Sequence, residues 1–287
     1  MATPRFNDQV SGISGVAAGG IALLPIPTEL RLISTQLCPS GTFVVGGVPT
    51  AVARPSRAQL AALIDLIQVE VNSDTIREMT VDELIDENEA NGIPFQAGFL
   101  QVFMMEPKRA TVSGEEALAW PLYRNPWGVN SCRIKVKFNA AAAAPALTAS
   151  YEYDLDPQVN SKGSAYANIT FWKRHTVQVA GAGTIDKNDL DVDGQIQRIT
   201  VRSANVTKIV AKVGSRTIHD RVLDENAASL KPYEVTQQAN TYALYFDKSQ
   251  IVDNGVDTGG RPLLLKLTYS GAGDHIALQQ IIKPKFF

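Results

Sequence analysis

Hydrophobic and polar residues alternate along much of this chain. The clearest stretch is SCRIKVKFN, where Cys132, Ile134, Val136 and Phe138 share one face and Arg133, Lys135 and Lys137 the other. That is the pattern of a half-buried strand. The same reading places strands over IALLPIP, ELRLISTQL, FQAGFLQVFMMEP and ALTASYEYDL in the first half of the chain. In the second half it places them over ITFWKRHTVQV, QIQRITVRS, TYALYFDKS, PLLLKLTYS and HIALQQII. Helical signals interrupt this pattern. Ser56 is an N-cap for RAQLAALI. Thr80 is an N-cap for VDELIDENEAN, with Glu83 closing a capping box and Gly92 as the stop. SGTFVVGGVPTAVARP reads as a hairpin turning at Gly46-Gly47 or as an elaborated loop, and Pro49 and Pro55 confine it to an edge. The alanines at 140–144 read as a tight turn, because Pro145 stops any helix after one turn.

One strand pair occurs twice. IQVEVNSDTI at 67–76 is matched by IVAKVGSRTI at 209–218, with Ile67, Val71, Ser73, Thr75 and Ile76 recurring as Ile209, Val213, Ser215, Thr217 and Ile218. Asn72-Ser73 and Gly214-Ser215 supply the turns. An acidic segment follows each copy, and Asp86, Glu87 and Asn88 recur as Asp224, Glu225 and Asn226. The flanking strands recur in the same order, with a second helix expected over 220–230. Such internal repetition predicts a duplicated domain. The expected fold is all-β, two tandem eight-stranded jelly rolls with one short helix each. Residues 1–20 form an arm, 21–156 the first jelly roll, 157–168 a polar linker, and 169–287 the second jelly roll with a short tail.

Composition narrows the partners. The chain has 287 residues, a net charge of −2, 45% hydrophobic and 20% charged residues, so a large core needs no disulfide framework. Near-neutral charge argues against a broad grip on nucleic acid. Cys38 and Cys132 are expected to be buried free thiols, which suits assembly in a reducing cytoplasm. No secretory signal is evident at the start. GISGVAAGGIALLPIP, broken by Pro25 and Pro27, falls short of a membrane span.

Three segments carry a family resemblance: PSRAQL followed by VEVNSDTI and its acidic helix, VNSCRIKVKFNAAAAAPALTA, and TFWKRHTVQV. On these the chain resembles the major capsid proteins of corticovirus-type phages, which are tailless, double-stranded DNA phages with an internal membrane. The resemblance implies a double jelly roll and a homotrimer of pseudo-hexagonal outline. It implies an icosahedral shell in the virion, with neighbouring trimers, vertex proteins and the internal membrane as partners. It also implies bound calcium, with no ligand transferable residue by residue. The chain departs from the family pattern at 38–54 and at the tryptophan-rich connection 107–128. The loops 38–54, 107–130 and 248–261 are expected to be the exposed variable surface.

The candidate chemistry is sparse. Asp189, Asp191 and Asp193 alternate before Gly194, like the first half of a calcium loop. Thr200 stands where the closing Glu of an EF-hand belongs, and a solvated acidic loop is the competing reading. Asp253, Asn254 and Asp257 form a weaker set that turn chemistry explains. His175, His219 and His275 have no neighbouring His or Cys at metal-ligand spacing. No nucleophile elbow and no Walker loop is present, so the chain is not expected to be an enzyme. Trp172, Lys173, Arg174 and His175 form an aromatic-basic cluster in which Trp172 is expected in the core. The tail Lys283, Lys285, Phe286 and Phe287 either frays or meets lipid or protein. The alternative function is a calcium-dependent carbohydrate-binding β-sandwich using the aspartate loop and an exposed Trp120 or Trp127. A glycan-cleaving sandwich is a third class, which would need paired carboxylates in a groove.

Overall fold

The computed structural model describes residues 4–107, 118–155, 169–247, 255–284 and 286. The expected linker at 157–168 lies outside the described residues, as do Asp253, Asn254, Lys285 and Phe287. The first half contains β1 (Arg5–Gln9), β2 (Ile21–Ile26), β3 (Arg31–Val45), β4 (Val48–Val52), α1 (Arg57–Leu63), β5 (Ile64–Val71) and β6 (Asp74–Met79). It continues with α2 (Val81–Ala90), β7 (Leu100–Phe103), β8 (Trp120–Pro121), β9 (Cys132–Phe138) and β10 (Ala143–Asp154). The second half contains β11 (Ile169–Val179), β12 (Gly183–Lys187), β13 (Gln195–Arg202), β14 (Val206–Val213), β15 (Arg216–Val222) and α3 (Leu223–Leu230). Then come β16 (Thr241–Tyr245), β17 (Val256–Asp257), β18 (Leu263–Tyr269) and β19 (Gly273–Lys283).

Each half is a two-sheet sandwich. In the first, β1-β10-β3-β4, with β7 and β8 also on β3, shares a core with β6-β5-β9-β2. In the second, β16-β13-β19-β11, with β17 also on β13, shares a core with β12-β18-β14-β15. Alternation explains the burial: Cys132, Ile134, Val136 and Phe138 point inward from β9, while Arg133, Lys135 and Lys137 face outward. A parallel bridge between Trp172 of β11 and Arg77 of β6 joins one sheet of each half into a single sheet of nine strands.

The duplication is visible in irregularities as well as in regular pairing. β3 bulges against β10 between the pairs Ser34–Glu152 and Leu32–Tyr153, leaving Ile33 as the extra residue. β13 bulges against β19 between Arg198–Gln280 and Ile196–Ile281, leaving Gln197 extra. The carbonyl of each bulged residue takes the same kind of bond, from Met104 N to Ile33 O at 2.8 Å and from Phe246 N to Gln197 O at 2.9 Å. A bulge repeated at one register is a built feature of both sandwiches.

Several expectations are revised. The first half carries two helices, since Ser56 does cap α1 with Gln59 completing a capping box. The N-terminal arm contains β1, an edge strand on β10. GTIDK, expected in a loop, is β12 and pairs with β18. The second helix starts at Leu223 because β15 runs through Asp220 to Val222 on β14. SGTFVVGGVPTAVARP is a hairpin, with Gly46 and Gly47 at φ 58° and 82°. Both central residues at positive φ give the turn that matches strand twist. Residues 118–123, expected on an exposed loop, are buried. Phe286 packs edge-on against Trp120 at 5.5 Å between ring centroids, so this part of the tail is core.

Candidate functional site

The two halves meet on buried charge, and α2 carries most of it. Thr80 starts this helix by accepting from Glu83 N at 3.3 Å, while Glu83 Oε2 accepts from Thr80 N at 2.7 Å. Val81, Leu84 and Ile85 pack into the first core. Glu83, Asp86 and Glu87 are also buried, and all three reach the second half. Glu83 pairs with Arg174 of β11 at 3.0 Å. Asp86 pairs with Arg57 of α1 at 2.6 Å and with Arg202 of β13. Glu87 accepts from Thr200 Oγ1 at 2.7 Å and from Gln280 Nε2 at 2.8 Å. Burial pushes the Glu87 carboxyl above its usual range, against the pull of Arg198 and of these two donors.

Two buried arginines complete the joint. Arg198 of β13 lies between Asp247 at 3.2 Å, Glu106 of the first half at 2.7 Å and Asn91 Oδ1 at 3.1 Å, with its guanidinium 4.7 Å from the Tyr245 ring centre. Burial works against its charge, but Asp247 and Glu106 hold the guanidinium well above its ordinary value. Arg77 of β6 donates to the carbonyls of Thr170 at 2.9 Å and Met104 at 3.2 Å, and to Phe103 O. Its guanidinium sits 5.0 Å from the ring centre of Trp120 and 5.1 Å from that of Trp172. Burial lowers its pKa to about 9 despite Glu106 nearby. Buried ion pairs of this kind set register and orientation when every partner is satisfied. The arrangement can hold two sandwiches rigidly side by side.

The residues singled out from sequence do not assemble into a reactive centre. Asp189 is bound by Lys187 at 3.0 Å, Asp193 by Lys283 at 3.2 Å, and Asp191 by Lys283 at 3.3 Å and by Lys173. Asp191 also accepts from Asp193 N at 2.8 Å. Its pKa is lowered: burial opposes this, and Lys173 and the Asp193 amide outweigh burial. Three ammonium groups already neutralise these carboxylates, so the loop does not fit a calcium ion. Among the described residues no group of three or more His, Cys, Asp or Glu could hold a metal. Asp257 accepts from Gly259 N at 2.8 Å, which is turn chemistry. The histidines occupy separate settings: His175 bonds Gln279 at 3.0 Å, His219 bonds Tyr242 at 2.9 Å, and His275 stacks on Tyr269 at 4.6 Å. Trp120 and Trp127, required to be exposed by the carbohydrate reading, are buried. Cys132 is a buried thiol, whereas Cys38 is only half-buried; neither forms a disulfide. Among the described residues no helix is long and apolar enough to cross a membrane.

Arg77, Arg198 and Arg202 were not singled out from sequence. Arg77 and Arg198 are buried and Arg202 half-buried on β6 and β13, whose sequences DTIREM and QIQRITVR are too polar throughout to mark these arginines in advance.

Two jelly rolls of matching topology, locked side by side in one chain, define the double jelly-roll class of viral coat proteins. Family models agree: the viral coat protein P2 N-terminal domain matches residues 7–154, and the viral coat protein P2 C-terminal domain matches residues 169–284. The chain belongs to the viral coat protein P2 family, which is a family of capsid proteins and not of enzymes. Among solved structures it is similar to the major capsid protein P2 of bacteriophage PM2, with a TM-score of 0.79 and 20% identity over 99% of each chain. It is also similar to the protein in the atomic structure of Sulfolobus turreted icosahedral virus, with a TM-score of 0.66 and 12% identity over 97% of this chain and 90% of that one. The Faustovirus major capsid protein matches with a TM-score of 0.60 and 8% identity over 98% and 90%. No curated protein sequence matches the chain.

Proposed function

We propose that this coat protein forms homotrimers of pseudo-hexagonal outline, and that these tile an icosahedral shell around an internal membrane and a double-stranded DNA genome. The observation that carries the proposal is the side-by-side pairing of two equivalent sandwiches through a shared sheet and buried ion pairs. Three such chains bring six sandwiches into a ring, and a six-sided block packs a closed surface with neighbours of its own kind. Shell contacts with neighbouring trimers, vertex proteins and the membrane follow from this reading. Free thiols at Cys38 and Cys132 suit assembly in the host cytoplasm. The test is light scattering on the purified protein together with electron microscopy of the same sample. A mass three times the 31.0 kDa chain and six-sided particles are expected. A strict monomer at all concentrations would overturn the proposal.

A further inference from the structure

The two copies of the repeated strand pair close with turns of different chemistry. Asn72 and Ser73 join β5 to β6, with Val71 paired to Asp74. Gly214 and Ser215 join β14 to β15, with Val213 paired to Arg216. Arg216 therefore stands where the first half has Asp74. The match continues into the next strand. Val71 pairs with Cys132, and Val213 pairs with Leu263. Two residues earlier, Asn130 corresponds to Arg261. The backbone agrees, since Asn72 N donates to Ser131 O at 3.0 Å and Gly214 N donates to Pro262 O at 3.5 Å. The second half thus places arginines at both positions where the first has an aspartate and an asparagine.

The space beside the turn differs as well. In the first half the Asn72 side chain occupies it. Its Oδ1 accepts from Asn130 N at 2.7 Å and Ser131 N at 3.2 Å, and its Nδ2 donates to Gly128 O at 2.7 Å. Gly214 has no side chain to put there, and a Cβ at this position would meet only Arg261 Cδ, at 3.9 Å. An open cleft of about 580 Å³ lies here, lined by Arg216, Arg261, Asp257 and Thr258 among others. Both arginines are exposed, and among the described residues neither has an ion-pair or hydrogen-bond partner. Other cations of the same sheet are paired: Lys208 with Asp220 at 2.7 Å and Lys266 with Asp186 at 3.8 Å. Arg216 begins β15 and Arg261 precedes β18, the strands on either side of β14. Two strand spacings put their backbones roughly 9–10 Å apart, within the span of two arginine side chains meeting at one ion.

We infer that this cleft binds a phosphate group, held between Arg216 and Arg261. A guanidinium presents a planar fork of donors that matches phosphate oxygens in pairs. A tetrahedral phosphate has enough oxygens to take a fork from each side, whereas one fork already fills a carboxylate. Asp257 also lines the cleft and spends Oδ1 on Gly259 N at 2.8 Å. Its single negative charge leaves the pair of arginines in excess. A phosphate ester in solution and the phosphate of a lipid headgroup share this chemistry. The inference stands on the cleft and does not depend on the trimer reading.

The test is isothermal titration of the full chain with inorganic phosphate at constant ionic strength, so that screening alone gives no signal. Saturable binding at one site per chain is expected. Arg216→Asp and Arg261→Asn install the residues of the first half, and each should weaken binding about tenfold or more. Gly214→Asn keeps both arginines and restores the side chain that occupies this space in the first half. The backbone permits it, with φ 57° at Gly214 and 51° at Asn72, and it should weaken binding likewise. Each variant must keep the parent's circular dichroism and its melting temperature without phosphate. Co-sedimentation with phosphatidylcholine vesicles, with and without phosphatidic acid, identifies the source. Retention that needs phosphatidic acid and is lost in Arg216→Asp supports a headgroup; phosphate binding without retention supports a soluble phosphate. No saturable phosphate binding, or binding that all three variants leave unchanged, overturns the inference. Loss in the arginine variants with parent-like binding by Gly214→Asn also overturns it, because charge without the cleft would then suffice.

Discussion

Thr200 donates its hydroxyl to Glu87 across 2.7 Å, and this bond runs from the second sandwich to the helix of the first. Gln280 makes the second bond to the same carboxyl at 2.8 Å. Both donors belong to strands of one sheet, so Glu87 reads the spacing of β13 and β19 directly. Glu87→Ala leaves two buried donors without an acceptor and is expected to cost about 1–3 kcal/mol in urea unfolding. Glu87→Gln retains one acceptor oxygen and should cost clearly less. Equal losses for the two variants would show that side-chain volume, not hydrogen bonding, matters at this position.

Arg198 is the only guanidinium within reach of both Asp247 and Glu106 among the described ion pairs. Its removal takes an ion-pair partner from buried Asp247 and from half-buried Glu106, one on each side of the joint. Arg198→Met preserves much of the volume and removes the charge, and is expected to lose about 3–5 kcal/mol. Denaturant unfolding of the variant measures this directly. A variant as stable as the parent would mean that apolar packing can replace the ion cluster.

The sequence made the fold legible where period and punctuation agree. The alternation over Cys132–Phe138, the Ser56 and Thr80 caps and the Gly46-Gly47 turn all appear in the structure as their residues dictate. The repeat was legible because it preserves turn chemistry as well as apolar spacing. The joint was not legible, because Glu87 and Thr200 are 113 positions apart and only the packed fold brings them together. The surroundings of the aspartate loop were hidden for a related reason. Asp189, Asp191 and Asp193 have ligand spacing, but Lys173 and Lys283 arrive from β11 and β19 to neutralise them. Tryptophans in a Pro-rich connection read as exposed, yet Trp120 lies between Arg77 and Phe286 in the interior.

Glu70 makes the stability dependent on pH in a definite direction. It pairs with Arg133 at 2.7 Å and Lys135 at 2.5 Å. Burial would raise its pKa, but bonds from Lys135 and Arg133 outweigh burial and lower it. A carboxyl whose pKa is lower folded than unfolded contributes stability above its unfolded value, near pH 4.3, and loses it as pH falls through the folded value. The melting temperature should therefore drop on acidification below about pH 5. Glu70→Gln should be less stable than the parent at neutral pH and should show a shallower acid drop. Parallel curves for the two proteins would assign the acid drop to other groups.

Chelation tests the aspartate loop. Lys173, Lys187 and Lys283 already satisfy its carboxylates, so an excess of EDTA should leave the melting temperature unchanged. Asp191→Asn should lower it, because two ammonium groups lose their shared partner. A drop on chelation that added calcium reverses, and that Asp191→Asn abolishes, would reinstate the loop as a metal site.

The two copies of the repeat differ at their helix caps, and the difference predicts an improvement. Thr80 closes a capping box on α2, and Thr80→Ala should cost about 1 kcal/mol. The N-cap of α3 is Val222, which makes no side-chain capping bond and is 42% exposed. Glu225 already reaches back to Val222 N at 3.4 Å, so half of the box is in place. Val222 has the extended backbone of an N-cap, φ −80° and ψ 165°, close to the −82° and 169° of Thr80. A threonine here needs no backbone change, keeps the β-branched shape that suits the end of β15, and supplies the missing acceptor. Val222→Thr should therefore stabilise the chain by roughly 0.5–1 kcal/mol, read as a higher denaturation midpoint. Val222→Ala is the control, since it removes the exposed methyl groups without adding an acceptor. A gain shared by both variants would assign the effect to lost apolar exposure; a gain confined to threonine assigns it to the cap.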